Sequence, residues 1–545
     1  MDARRIARAG RLLALLSCVG LAVLGLGHGL WTPDEPREAE ISREMLLAPG
    51  VIPTLNGVPF VEKPPLYYWV VAGVYRALGQ PSANAARAVS AAAGLLSLWC
   101  LYAWAARAGR RRAGLVAAVM LASSVQFTVS THWVLIDPLL MLFTTLASWA
   151  AWERLRGAAG APGQRGWLAL LYVALTLALW TKGLIGVVLP VAGIMVAVVM
   201  ERLAWRRLRP FSGALFLAAM VVLLGVAIWR DGGRAALWEW AWVNHVQRFT
   251  NPGATGHRQP LLYYLWTLPW AILPWLVPLL DGLRPAAWRA ATPEAALQRH
   301  GAWSALGMLL LLSAAATKRE TYLLPLLPPL VLWLGLRVDA WFGQWSAATG
   351  APPGWRWWLQ YALLALYALA PPVALMAYRR GPDATALVLL ALAAGVALLA
   401  AHGALRGRRL RAGRAALGCA WMGTAALLLL LPRAVDATKD MAPFVRWMGQ
   451  QLPADGTVYA LNVDETLSGI VPFETGRRLV AYDPAAGGTP PPEWLLDQEV
   501  NKGARTRPPA GYVLVRRERF GPGRALALWR REAALSRAAP PATAP

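Results

Sequence analysis

Two short segments concentrate the polar chemistry of an otherwise apolar chain. The first reads W-T-P-D-E-P-R-E-A-E-I-S-R-E-M-L from Trp31 to Leu46, and the second reads P-F-V-E-K-P-P-L-Y-Y-W from Pro59 to Trp69. Asp34 and Glu35 stand directly before Pro36. A carboxylate here can serve as a general base toward an acceptor, a role typically worth ~10²–10⁴ in rate. It can equally cap the helix that Pro36 opens. Glu38, Glu40 and Glu44 then fall to that helix's solvated face. Glu62 and Lys63 lie among Pro59, Pro64 and Pro65, which fix the backbone and stiffen the turn. A lysine held this way suits a phosphate oxygen, whereas the same pair free at a surface is worth little.

Further along, single charges interrupt apolar runs. Asp137 in S-T-H-W-V-L-I-D-P and Lys182 in L-W-T-K-G-L-I-G sit where two apolar segments meet. An ionisable group at membrane depth costs roughly 2.5–3.5 kcal/mol on insertion scales, so each is a functional candidate, with helix capping the competing role for Asp137. Lys318, Arg319 and Tyr322 form a cationic, hydrogen-bonding turn suited to a lipid phosphate. His245, in W-V-N-H-V-Q-R-F, is either structural or, with Glu62, half of a divalent-metal site.

The elements that position these groups are helices crossing a bilayer. Of 545 residues, 57% are hydrophobic and only 15% charged. Apolar runs recur at about the ~20 residues that a membrane helix needs. They fall at 11–30, 85–106, 113–130, 134–152, 166–182, 184–201, 211–229, 261–283, 301–316, 322–337, 358–377, 384–402 and 415–432, which gives about thirteen helices. Segment 64–79 is shorter, begins Lys-Pro-Pro and carries Arg76, so it is expected to lie at the interface.

The net charge of +25 resides in short loops rather than on one soluble face. Arginines cluster at 4–11, 107–112, 202–209 and 406–414. That is the pattern of cytoplasmic anchoring, and it argues against nucleic-acid binding. It places the N-terminus inside, as an uncleaved signal-anchor, and every candidate residue outside, notably in loop 31–84. Cys18, Cys100 and Cys419 all fall in apolar spans, which leaves no disulfide framework. After the bundle at 1–432, strand-like runs at 457–463, 478–483 and 511–517 predict a small α/β domain over 433–533, with a disordered tail at 534–545.

These segments, in this order, resemble the membrane glycosyltransferases of the protein O-mannosyltransferase superfamily, above all the branch that transfers 4-amino-4-deoxy-L-arabinose to lipid A. The likeness rests on D-E-x-R-x-A-E-I-S-R-E-M (Asp34 to Met45), E-K-P (Glu62 to Pro64), V-L-I-D-P (Val134 to Pro138), T-K-G (Thr181 to Gly183), H-x-x-R-F (His245 to Phe249) and K-x-x-T-Y-x-L-P (Lys318 to Pro325). It implies a GT-C fold with a soluble C-terminal domain and a site on the periplasmic face of a bacterial inner membrane. It also implies an undecaprenyl-phosphate sugar donor and inversion at the anomeric centre. Asp34 would be the base or acceptor-orienting carboxylate, and Asp137 and Glu62 would hold acceptor or sugar. Lys63, Lys182, Lys318, Arg319 and Tyr322 would bind the donor phosphate.

Pro36, Glu38 and the Arg319-Glu320 pair depart from the family pattern and leave sugar and acceptor open. Lipid A, another envelope glycan and protein are all admissible acceptors. A transporter is the rival from another class, but it would place Gly/Pro-broken helices in two matching halves, which this chain lacks.

Overall fold

The computed structural model describes residues 19–158, 160–247, 258–284, 293–347, 354–407, 409–453, 456–484, 490–500, 510–521 and 523–532. Helix α1 (Asp34–Leu47) follows Trp31. A two-strand hairpin comes next, β1 (Thr54–Leu55) and β2 (Val58–Pro59), turned by Asn56 and Gly57 with both φ angles positive. Asn-Gly is the residue pair that such a two-residue turn favours. Helix α2 (Leu66–Leu78) has 13 residues, too few to cross a bilayer, in keeping with an interfacial element.

The bundle then builds from α3 (Ala83–Arg107), α4 (Arg111–Ala122), α5 (Val125–Thr131), α6 (Asp137–Arg156), α7 (Gln164–Lys182), α8 (Leu184–Met200) and α9 (Pro210–Trp238). A π-helical segment at Glu239–Gln247 follows. Then come α10 (Tyr263–Ala271), α11 (Leu276–Gly282), α12 (Pro293–Ala314), a 3-10 turn at Glu320–Leu326, α13 (Leu327–Ala347), α14 (Trp355–Arg379), α15 (Ala384–Leu405) and α16 (Arg409–Lys439).

The expected thirteen spans are not what the described residues contain. Six helices are long and apolar enough to cross a membrane, or seven if the bent pair α4–α5 counts as one. The expected span 113–130 breaks by 67° at Ser123 and Ser124. Span 261–283 splits into α10 and α11 around Pro274, and α8 reaches only 17 residues. Residues 11–18 of span 11–30 lie outside the described residues. Helix α6 has the length of a span, at 20 residues, but carries Asp137 in its first turn and Glu153, Arg154 and Arg156 at its end.

The boundary expected at 432 falls inside α16, which continues unbroken to Lys439. Beyond it, α17 (Ala442–Gln451), β3 (Val458–Leu461), α18 (Glu465–Thr475), β4 (Leu479–Ala481), β5 (Trp494–Val500), β6 (Tyr512–Arg519) and β7 (Arg524–Arg531) form the small α/β domain. Its sheet runs β4-β3-β5-β7-β6, with β3 parallel to β4 and β5, and β7 antiparallel to β5 and β6. The three strand-like runs therefore appear as β3, β4 and β6. The tail at 534–545 lies outside the described residues.

This domain is welded to the bundle. A Cβ on Gly469 of α18 would lie 2.6 Å from the Arg37 nitrogen, so only glycine permits this approach of α18 to α1. Ile41 and Met45 of α1 share one hydrophobic core with Ile470 and Val471 of α18. Asn56 fixes the β1–β2 turn to β4 by two bonds with the Leu479 backbone, at 2.7 and 3.1 Å. Packed between α2 and α18, α1 has no solvated acidic face. Glu38 and Glu40 are buried, Glu38 accepting from the Tyr68 hydroxyl and Glu40 from both sides of the Arg43 fork. Glu44 is only partly exposed and accepts from the Gly57 N–H.

Candidate active site

Neither Asp34 nor Asp137 caps its helix. Helix α1 has no side-chain cap, and neither does α6, although each carries an acidic residue and a proline in its first turn. Both carboxylates turn instead to cations from distant segments.

Asp34 is held by two guanidiniums. Arg37 donates to Oδ1 at 3.0 Å and Arg319 to Oδ2 at 2.5 Å. Arg37 is itself shared with Glu38 and, from the C-terminal domain, with Glu465. Burial alone would raise the proton affinity of Asp34. The charges of Arg37, Arg319 and Lys63 outweigh it and hold the carboxyl below its ordinary value. Arg319 responds in the opposite sense: burial opposes its charge, Asp34 more than compensates, and its affinity for the proton rises.

The second cluster is a one-to-one pair. Lys182 ends α7 and donates to Asp137 Oδ1 at 2.6 Å, with its ammonium 4.4 Å from the centre of the Tyr322 ring. Gly183 makes that placement possible. Its φ of 72° and ψ of −155° stop α7 at once, in a region essentially reserved for glycine, and α8 starts at the next residue. Lys63 donates to Glu62 at 3.2 Å in the proline-stiffened turn.

A cavity of about 350 Å³ joins these groups. Glu62, Lys63, Asp137, Lys182 and Tyr322 supply its polar wall, while Leu184, Val188, Leu189 and Leu312 supply much of its apolar one. The arrangement presents ammonium groups at one part of a greasy cleft, the complement of an anionic head on a hydrocarbon chain. Asp34 is tied to it through Arg319, which stands directly before the turn that carries Tyr322.

Two expected residues are placed otherwise. Lys318 is only 3% exposed and gives its ammonium to the carbonyls of Ala315 at 2.5 Å and Gln259 at 3.3 Å, so it braces the turn that carries Arg319 and Tyr322. His245 lies in the π-helical segment whose Asn244 and Val246 line the cavity, but its side chain lies outside the described residues. Among the described residues, no group of three or more His, Cys, Asp or Glu side chains is placed to hold a metal. Glu62 is paired with Lys63, and no step is assigned to a metal.

Arg37 and Arg87 emerge from the structure without a role given by the sequence, whereas Glu35, read with Asp34 as a cap or base, is held in a buried ion pair. Glu35 and Arg87 are both fully buried and form a bidentate pair at 2.9 and 3.2 Å. Glu35 also accepts from the Trp31 and Val134 N–H groups. Arg87 donates to the carbonyls of Leu26, His28 and Gly29. One ion pair thereby ties the start of α1 to the turn that presents Asp137. Arg87 was visible as a cation within an apolar helical run, the signal of an intramembrane partner.

Comparison with known proteins gives the family and the fold. Residues 23–233 match the model of the dolichyl-phosphate-mannose-protein mannosyltransferase family. A curated undecaprenyl phosphate-alpha-4-amino-4-deoxy-L-arabinose arabinosyl transferase of Pseudomonas paraeruginosa is 33% identical over 433 residues, 77% of this chain and 75% of that one. Its counterpart in Edwardsiella ictaluri is 32% identical over 327 residues; the match covers 58% of this chain and 57% of that relative's length. The crystal structure of ArnT from Cupriavidus metallidurans bound to undecaprenyl phosphate superposes with a TM-score of 0.74, covering 97% of this chain and 98% of that one, and at 21% identity this likeness speaks for the fold. With a mostly helical GT-C fold, a small C-terminal sheet domain and that level of identity over three quarters of its length, the chain belongs to the undecaprenyl phosphate-aminoarabinose arabinosyl transferase family and is a membrane glycosyltransferase.

Proposed function

We propose that the protein transfers 4-amino-4-deoxy-L-arabinose from undecaprenyl phosphate to lipid A on the periplasmic face of the inner membrane. The observation that carries this reading is the cavity in which Lys63 and Lys182 stand beside an apolar wall. An ammonium has three donors, so Lys182 bonded once to Asp137 keeps two for a phosphate oxygen. The apolar wall takes the polyprenyl chain. Tyr322 and Arg319 complete the cationic, hydrogen-bonding surroundings, and Lys318 holds their turn.

In the transfer step an acceptor oxygen attacks the anomeric carbon from the face opposite the phosphate. The bond from that carbon to the phosphate oxygen breaks, and undecaprenyl phosphate leaves with the electron pair. Lys63 and Lys182 neutralise the charge that develops on the leaving oxygen. Asp137 and Glu62 hold these lysines and can accept from sugar hydroxyls. A phosphate oxygen of lipid A is already anionic near neutrality and needs no base. Asp34, kept ionised by two guanidiniums, fits this acceptor best as the carboxylate that orients Arg319 and the acceptor. A hydroxyl acceptor on a glycan or protein would instead require Asp34 to take the proton. The periplasmic assignment follows from the arginines at the far ends of α3, α6 and α8, which read as cytoplasmic.

The test is the lipid A mass spectrum of a deletion strain carrying wild type or Asp34→Asn. An increment of one aminoarabinose seen only with wild type supports donor, acceptor and carboxylate together. Unmodified lipid A in both, with a glycosylated envelope protein in wild type alone, would replace lipid A by a protein acceptor.

A further inference from the structure

The segment that leads into α10 lies alongside the turn that presents Arg319 and Tyr322. Arg258 and Thr317 form an antiparallel bridge, and the Gln259 N–H donates to the Ala316 carbonyl at 3.5 Å. The Gln259 carbonyl accepts in return from Lys318. Two consecutive buried tyrosines at the start of α10 then reach the turn itself. Tyr263 donates to the Glu320 carboxylate at 2.7 Å, and Tyr264 donates to the Arg319 carbonyl at 3.2 Å.

The two bonds act on different parts of the turn. The Arg319 carbonyl also accepts from the Tyr322 N–H at 3.2 Å, the bond that opens the 3-10 turn. Tyr264 therefore engages the second lone pair of the oxygen from which Tyr322 is hung. Tyr263 acts on charge. Glu320 is an exposed carboxylate directly beside the cation that serves Asp34. Consecutive residues can pair in this fold, since Arg37 and Glu38 do so at 2.7 Å. Among the described residues Arg319 and Glu320 do not: Glu320 bonds Tyr263, and Arg319 bonds Asp34. The Tyr263 and Tyr264 rings meet edge to face with centroids 5.1 Å apart, which braces the two contacts against each other.

We propose that Tyr263 and Tyr264 are positioning residues for sugar transfer. Tyr263 holds the Glu320 carboxylate off Arg319 and so leaves that guanidinium to Asp34, while Tyr264 fixes the backbone from which both Arg319 and Tyr322 project. Neither tyrosine lines the cavity, so both act through the turn. The inference rests on the transfer reaction proposed above.

The test measures kcat of the purified full-length enzyme with undecaprenyl phosphate-aminoarabinose and lipid A. Tyr263→Phe is expected to lower it about tenfold and Tyr264→Phe about fivefold, the scale of one hydrogen bond to a charged and to a neutral partner. Tyr172→Phe removes a comparable tyrosine bond, to the Leu208 carbonyl and ten residues before Lys182 on α7, and is expected to change nothing. The decisive variant joins Tyr263→Phe to Glu320→Gln. With the competing charge gone, kcat should return to that of Glu320→Gln alone, which is expected near wild type. A bond that only supports folding predicts the reverse, with Tyr263→Phe, Glu320→Gln and their combination all equally impaired. That result, or wild-type kcat in both tyrosine variants, overturns the proposal. A wild type that transfers nothing overturns the reaction itself and this role with it, and the wild-type rate alone tells that outcome from the others.

Discussion

The two carboxylate clusters of the candidate active site are built differently. Asp34 has two guanidiniums and lies beside the cavity, whereas Asp137 has one lysine and lines it. A carboxylate held from two sides by planar forks is fixed in position and charge. A carboxylate sharing one ammonium leaves that ammonium free to bond elsewhere. On the proposed reading the first cluster supplies geometry and the second binds phosphate. The mutant that damages transfer most should therefore be the one that dismantles the fixed cluster.

Asp34→Asn keeps the shape and removes the charge. It leaves Arg319 without its carboxylate and is expected to lower transfer by ~10² or more, in the range of losing one preorganised electrostatic group. Membrane insertion should be unaffected, since Arg37 retains Glu38 and Glu465. Steady-state transfer with purified enzyme checks this, and near-wild-type kcat would remove Asp34 from the chemistry.

Lys182→Ala acts on the second cluster and strands Asp137. A buried partner left alone is destabilising by roughly 3–5 kcal/mol where burial is complete, and by less here because the cavity admits water. The comparison predicts a raised apparent KM for the polyprenyl donor. Asp137→Asn in the same chain should restore folding but not donor binding. If KM is unchanged while kcat alone falls, Lys182 acts in the transition state rather than as a seat for the phosphate.

The pH profile sharpens the contrast further. Asp34 has its folded pKa depressed, so its contribution to stability is complete above the ordinary aspartate range and is lost as pH falls through the lower folded value. Transfer should then show no acid limb from Asp34 between about pH 5 and 8. An acid limb near 6 that vanishes in Asp34→Asn would restore the general-base role.

Much of this was legible in the sequence because charge is costly in an apolar chain. Asp34, Glu62, Lys63, Asp137, Lys182, Arg319 and Tyr322 stood out for that reason, and the structure brings them around one cavity and its edge. The small α/β domain was legible from the change of hydrophobic period. Partnership was not legible: Asp34 and Asp137 both satisfy the sequence rules for a cap, and only tertiary contacts with Arg319 and Lys182 override them. The buried Glu38 and Glu40 were misread because helix α1 is polar overall, and its burial depends on α18, encoded more than 400 residues later. Thirteen spans are not found among the described residues, where breaks at Ser123–Ser124 and around Pro274 interrupt runs that read as continuous in the sequence.

The smallest expected effect concerns the link between the domains. Glu465 reaches Arg37 at 2.5 Å and so touches the fixed cluster at one remove, but its side chain is 52% exposed. Exposed pairs are typically worth ~0–1 kcal/mol, which caps the loss for Glu465→Gln at about fivefold. Arg37 would still bond Asp34 and Glu38, and the domain would stay attached through Asn56 and the Gly469 contact. The rate of transfer by the purified variant measures this directly. A loss as deep as that of Asp34→Asn would mean that the C-terminal domain sets the charge of the active site. A small loss means that the domain positions α1 by packing, and that the cluster keeps its geometry from within the bundle.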